Sequence, residues 1–184
     1  MRQPFATCQN FYSVVTGWQH PLPWAYGAGV SIDLDQLRTD FANTPLDEAD
    51  REEVLHLLLR ERREGDADLL RHLLAQETAA HREGWGVSEA LTLAALLVAE
   101  SGREEDVWAL WDAKNASFDT MAGLDGFLLF PAGIAGTTAH VIAQEQHPDR
   151  TDLMTYMAEY LGYEKLTDED IREHVAGLRS HFEN

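Results

Sequence analysis

The decapeptide ALTLAALLVA at positions 90–99 constrains this chain more than any other stretch. Ser88 stands just ahead of it, placed to cap a helix, and Ala90, Leu91, Leu93, Leu96, Leu97 and Val98 then cover nearly the whole helical circumference. A helix that is apolar all round has no face to give to water and must be enclosed by other elements. It is about half the roughly 20 residues needed to cross a bilayer, so it reads as a buried core helix and the rest of the chain has to wrap it.

The wrapping reads as helical. Thr44, followed by Pro45 and Asp47, predicts a helix start, with Val54, Leu55, Leu58 and Leu59 as its apolar stripe and Gly65 placed to end it just after Glu64. Asp66 is placed to cap the next helix, whose pairs Leu69/Leu70 and Leu73/Leu74 lie on one side, and which should end near Gly84-Trp85-Gly86. Ser101 with Glu104 matches a capping box opening a helix that carries Val107, Leu110 and Trp111. Helical spacing continues through TTAHVIAQEQ, then Leu153, Met157, Tyr160 and Leu161, then Ile171, Val175, Leu178 and Phe182, the last set capped by Thr167 with Asp170.

No segment alternates convincingly with the period of a strand. The expectation is one all-α domain over 1–184, with about seven or eight helices stacked as antiparallel hairpins. Leu69, Val107 and Val141 recur at roughly 34 to 38 residues, within the range of two-helix repeats, so both a short α-solenoid and a compact bundle remain open.

Charge and cysteine usage narrow the partners. The chain carries 32 acidic against 14 basic residues, a formal net charge of −18, which repels a phosphate backbone or an anionic membrane and favours a basic protein partner. Cys8 is the single cysteine, so neither an intramolecular disulfide framework nor a multi-cysteine zinc site is expected. The first twenty residues lack a sustained apolar stretch of the secretory kind, and a cytoplasmic location is the expectation.

Residues 1–43 differ from the remainder. Trp18, Trp24 and Tyr26 sit among Gly17, Pro21, Pro23, Gly27 and Gly29, a turning, aromatic-rich loop. It can fold back to seal the helical core, or offer its aromatics to another protein or to a second copy of the chain. Asp33 with Gln36 then predicts a short helix bearing Leu34, Leu37 and Phe41.

Motifs with inherent chemistry are sparse. Glu53 and His56 have the Glu-x-x-His spacing that puts a carboxylate and an imidazole on one helix face, but a di-iron bundle needs a second such pair, and the other acid–histidine pairs are spaced one residue wider or narrower. GIAGTT at 133–138 lacks the lysine of a phosphate-binding loop, and no nucleophile elbow occurs. No cofactor is indicated.

The stretch WDAKNASFDTMAGLDGFLLFPAGIAGTTAH, 111–140, is the least regular part of the chain. Asp119 and Asp125 are placed to cap successive helices, Gly123 and Gly126 to permit turns or close approach, and Lys114 to pair with one of the acids. Pro131 suits the first turn of the next helix, whose small residues can receive the bulky run Phe127 to Phe130. Alternatively, Trp111, Lys114, Asp119 and Asp125 line a small pocket at a break between helices.

Trp111, Ala113, Lys114, Phe118, Asp119, Thr120, Gly123, Leu124, Asp125, Ala132 and Gly133 follow a W-x-A-K-x-x-x-F-D-T-x-x-G-L-D pattern that resembles a segment of small uncharacterised bacterial all-helical proteins. The likeness spans about a sixth of the chain. It implies a helical fold and carries no activity with it.

Two functional expectations follow. One is a non-catalytic, acidic helical protein that binds another protein, basic in character, in the manner of an immunity protein or inhibitor. The other is an enzyme or small-ligand binder using a polar cavity between helices.

Overall fold

The computed structural model describes residues 32–184, and within them the chain is all-α. Nine α-helices follow one another without a strand among the described residues: α1 Leu34–Asp40, α2 Glu48–Glu61, α3 Ala67–Glu83, α4 Glu89–Ala99, α5 Val107–Lys114, α6 Phe118–Gly123, α7 Gly133–Ala143, α8 Arg150–Glu164 and α9 Asp168–Glu183. Short 3-10 turns at Phe41–Asn43, Glu64–Asp66, Glu104–Asp106 and Gly126–Leu129 join several of them.

The apolar helix is the centre of the fold. Every residue of α4 except Glu89 and Thr92 is buried, and α2, α3, α5 and α9 all pack against it. The stripes expected on its neighbours point inward: Val54, Leu55, Leu58 and Leu59 of α2, Leu69, Leu70, Leu73 and Leu74 of α3, and Val107, Leu110 and Trp111 of α5 are all buried. Each leucine enclosed this way contributes about 1.5–3 kcal/mol relative to exposure.

The arrangement is a closed bundle, and the α-solenoid alternative is set aside. In a solenoid each unit touches only its neighbours. Here α9 returns to α4, its Arg179 donates to the Leu59 carbonyl at the end of α2 (3.0 Å) and pairs with Glu100 (2.7 Å), and its Phe182 lies edge-on to His56.

Several helix starts differ from expectation for a common reason: a carboxylate nearer the helix, or a tertiary partner, takes over. Asp47, not Thr44, caps α2 in a reciprocal capping box with Asp50, which leaves Pro45 outside the helix; α2 then ends at Glu61, short of Gly65. Asp66 precedes α3 as expected, but its carboxylate is spent on Arg38 (2.8 Å) and on the Arg63 N–H (2.8 Å), tying α1 to the α2–α3 turn. The expected box of Ser101 and Glu104 is absent because the Ser101 hydroxyl accepts from Arg62 instead, and a 3-10 turn leads into α5. Asp33, Ser88 and the Thr167/Asp170 box cap α1, α4 and α9 as the sequence indicates.

Candidate functional site

The stretch 111–140 divides into two environments. The inner one is built around Gly126, where the chain leaves α6 and passes beneath α8. A side chain there is impossible without displacement: a Cβ on Gly126 would lie 2.7 Å from the Tyr160 ring and 2.8 Å from the Tyr156 hydroxyl. Tyr156 and Tyr160 stack on each other, Phe127 meets Tyr160 edge-on and Trp111 tilts against Tyr156. Behind this aromatic wall lie three polar groups, the first buried and the other two partly exposed.

Those polar groups are Lys114, Asp125 and His174. Lys114 is 2 % exposed, and its Nζ donates to the carbonyls of Met121 (2.8 Å) and Leu124 (2.5 Å). These lie at the end of α6, where carbonyls lack intrahelical partners, so the lysine of α5 serves as the C-terminal cap of α6. The expected direct pairing of Lys114 with an aspartate does not form; Asp125 acts on it only through space. Burial pushes the ammonium down to about 8, with the Asp125 charge opposing, and pushes the Tyr156 phenol up to about 12.

Asp125 caps the Gly126–Leu129 turn by accepting from the Phe127 N–H (3.0 Å) and bonds through its other oxygen to His174 of α9. This bond holds the imidazole above its ordinary value against the effect of burial, and the His174 ring stacks on Phe127 at 4.0 Å. A lysine lowered in this way is a common signature of a catalytic amine. Here two of its three N–H donors go to backbone carbonyls, its Nζ lies over the Tyr156 ring at 5.3 Å and little of it meets solvent, so its geometry is that of a structural clamp.

Asp119 belongs to the outer environment. It does not cap α6: Ser117 does, in a reciprocal box with Thr120. The Asp119 carboxylate instead accepts from the Gly86 N–H (2.7 Å) and so holds the loop between α3 and α4. That loop is fixed at a second point, where the Ser88 N–H donates to His81 Nε2 (3.1 Å), which places the ring proton on Nδ1 for donation to the Glu77 carbonyl. Gly86 takes φ +81, open to glycine at little cost, and Gly123 of α6 lets Val87 approach so closely that a Cβ there would meet it at 2.9 Å.

The loop is therefore rigidly held, yet its largest side chain is left in water. Trp85 is 96 % exposed and Phe118, across a shared concavity of about 300 Å³, is 86 % exposed. Glu83, Asp119 and Arg82, the last paired with Asp112, line the shared concavity with them, and Glu48 lines a second concavity of about 340 Å³ that Trp85 also borders. In the sequence Trp85 reads only as part of a helix end. The signal available was a tryptophan flanked by glycines between two helices, out of phase with both apolar stripes.

The remaining candidates are dispersed. Trp111 is a core residue, and Trp111, Lys114, Asp119 and Asp125 do not line one common pocket, since Asp119 faces the loop and Lys114 the interior. Glu53 is exposed and His56 packs near Phe182; among the described residues no group of three or more His, Cys, Asp or Glu is disposed to hold a metal ion. Trp18, Trp24 and Tyr26 lie outside the described residues. Pro131 falls two residues before α7, and the turn that bears Phe127 packs chiefly on α4, α5 and α9 rather than on the small-residue face of α7. Gly133, with φ +74, instead receives Asp168 of α9, whose carboxylate accepts from the Ile134 N–H (2.7 Å). No described helix is long and apolar enough to cross a membrane.

The chain matches no known protein family, no curated protein and no solved structure.

Proposed function

We propose that this protein works by binding another protein, basic in character, through the face that carries Trp85 and Phe118. The observation that supports this reading is the exposure of both rings, Trp85 on a loop that Asp119 and His81 hold in place and Phe118 at the start of α6. Burying an exposed indole is among the strongest contributions to protein association, and a loop already fixed loses little further freedom when it binds. A net charge of −18 adds long-range attraction to a cationic partner. Inhibitor-like or immunity-like action fits this combination of an acidic field and a small aromatic anchor.

The test is affinity capture from native lysate with the full chain and with a Trp85→Ser/Phe118→Ser variant, each at low and high salt. A protein retained by the full chain at low salt, and lost both in the variant and at an ionic strength that shortens the Debye length to a few Å, is the expected result. Identical captured sets from the two chains would overturn the proposal.

A further inference from the structure

The cavity beside Trp85 is shaped and charged for one particular kind of side chain. Its walls are the Trp85 indole, Glu48 at the start of α2, the Arg51–Glu77 pair, His81 and Ala80. Arg51 and Glu77 neutralise each other at 2.6 Å, with only small fractions of both exposed. Both nitrogens of His81 are committed to backbone groups, so its ring contributes no charge in this arrangement. Glu48 is left as the net charge of the cavity. Glu48 stands in the first turn of α2, where Asp47 and Asp50 make the capping bonds, and it forms no ion pair with a described residue.

We infer that this cavity receives an arginine side chain of the partner, its guanidinium against the Trp85 ring and toward the Glu48 carboxylate. The inference rests on the protein-binding reading above and specifies what the partner must bring. A cation over an indole face is held by the ring quadrupole, and tryptophan is the best of the aromatic residues for it. Arginine suits the site better than lysine because a planar guanidinium can stack on the ring while its edge donates to a carboxylate, whereas an ammonium is a compact and strongly hydrated point charge. The concavity that Trp85 shares with Phe118 then accommodates apolar surface adjoining that arginine.

The experiment follows the side-chain indole N–H resonances of the full protein by NMR, with Trp85→Phe identifying the Trp85 signal, during titration with a tri-arginine peptide at low salt. The Trp85 signal should move saturably, the half-saturation concentration should rise about fivefold in Glu48→Gln, and tri-lysine should bind several-fold more weakly. A Trp85 signal that stays in place, that responds equally in Glu48→Gln, or that responds as strongly to tri-lysine would overturn the assignment. Glu48→Gln also separates this inference from the parent reading. If capture of a partner is lost in the Trp85→Ser/Phe118→Ser chain but unchanged in Glu48→Gln, the face binds protein and the arginine seat is wrong.

Discussion

Asp119 and Asp125 are six residues apart in the chain and chemically the same, yet they serve different hydrogen-bond networks. Asp125 turns inward, where it caps a turn, holds His174 of α9 and biases the charge of Lys114 behind a wall of aromatic rings. Asp119 turns outward to fix a loop whose tryptophan nothing described covers. Around Asp125 the polar groups are consumed in holding the fold together. Around Asp119 the same kind of bond holds an apolar group away from the fold. The arrangement of satisfied bonds is therefore a poor guide to function here; the side chain left over at the end of each network is the better one.

The comparison can be broken first at Lys114. Lys114→Met removes the donor for two carbonyls in a dry site, and the expected loss is about 3 kcal/mol, or roughly 10 °C in melting temperature. Its pH dependence is equally specific. The folded ammonium releases its proton at about 8 and the unfolded one only near 10.5, so the unfolded chain binds more protons across that window and stability gains from this group as pH rises from about 8 toward 10. The methionine variant should lack that increment in chemical denaturation. An equal pH slope in both chains would show that Lys114 is not the buried cation described above.

A smaller effect is expected at Asp125. His174 is raised above 6.5 in the folded protein, so its pairing stabilises fully below pH 6.5 and fades as pH rises through the folded value. Asp125→Asn should cost about 1 kcal/mol near pH 6 and progressively less at higher pH, a trend that denaturant titrations at several pH values would reveal. A cost that did not change with pH would mean that the carboxylate acts on the turn alone.

The smallest effect belongs to the outer region. Trp85→Ser and Phe118→Ser should each leave stability within about 0.5 kcal/mol of the parent, since neither ring is buried against the fold. A melting temperature that fell by several degrees in either variant would make these rings structural and remove the contrast between the two regions.

What the sequence made legible follows from the range over which each signal acts. The α4 decapeptide, the leucine stripes of α2 and α3 and the Thr167/Asp170 box are local patterns whose meaning is settled within one or two helical turns, and the structure follows them. Asp66 and Ser101 were readable as caps by the same local logic, but arginines 28 and 39 residues away in the chain take their side chains. Lys114 was visible as a counter-charge for a nearby aspartate, whereas its partners are carbonyls, which every residue possesses and no sequence pattern marks. Trp85 was hardest to see, because exposure is a property of what fails to pack around a residue.

The Arg179–Leu59 bond closes a loop of 120 residues, and it places the last wall of the core far behind the helix it covers. During synthesis α4 emerges about 70 residues ahead of α9. At about 5–20 residues per second that interval lasts on the order of 4 to 14 seconds. For that time the most apolar helix of the chain lacks at least one of its four helical neighbours, which opens it to aggregation and gives a chaperone a surface to cover.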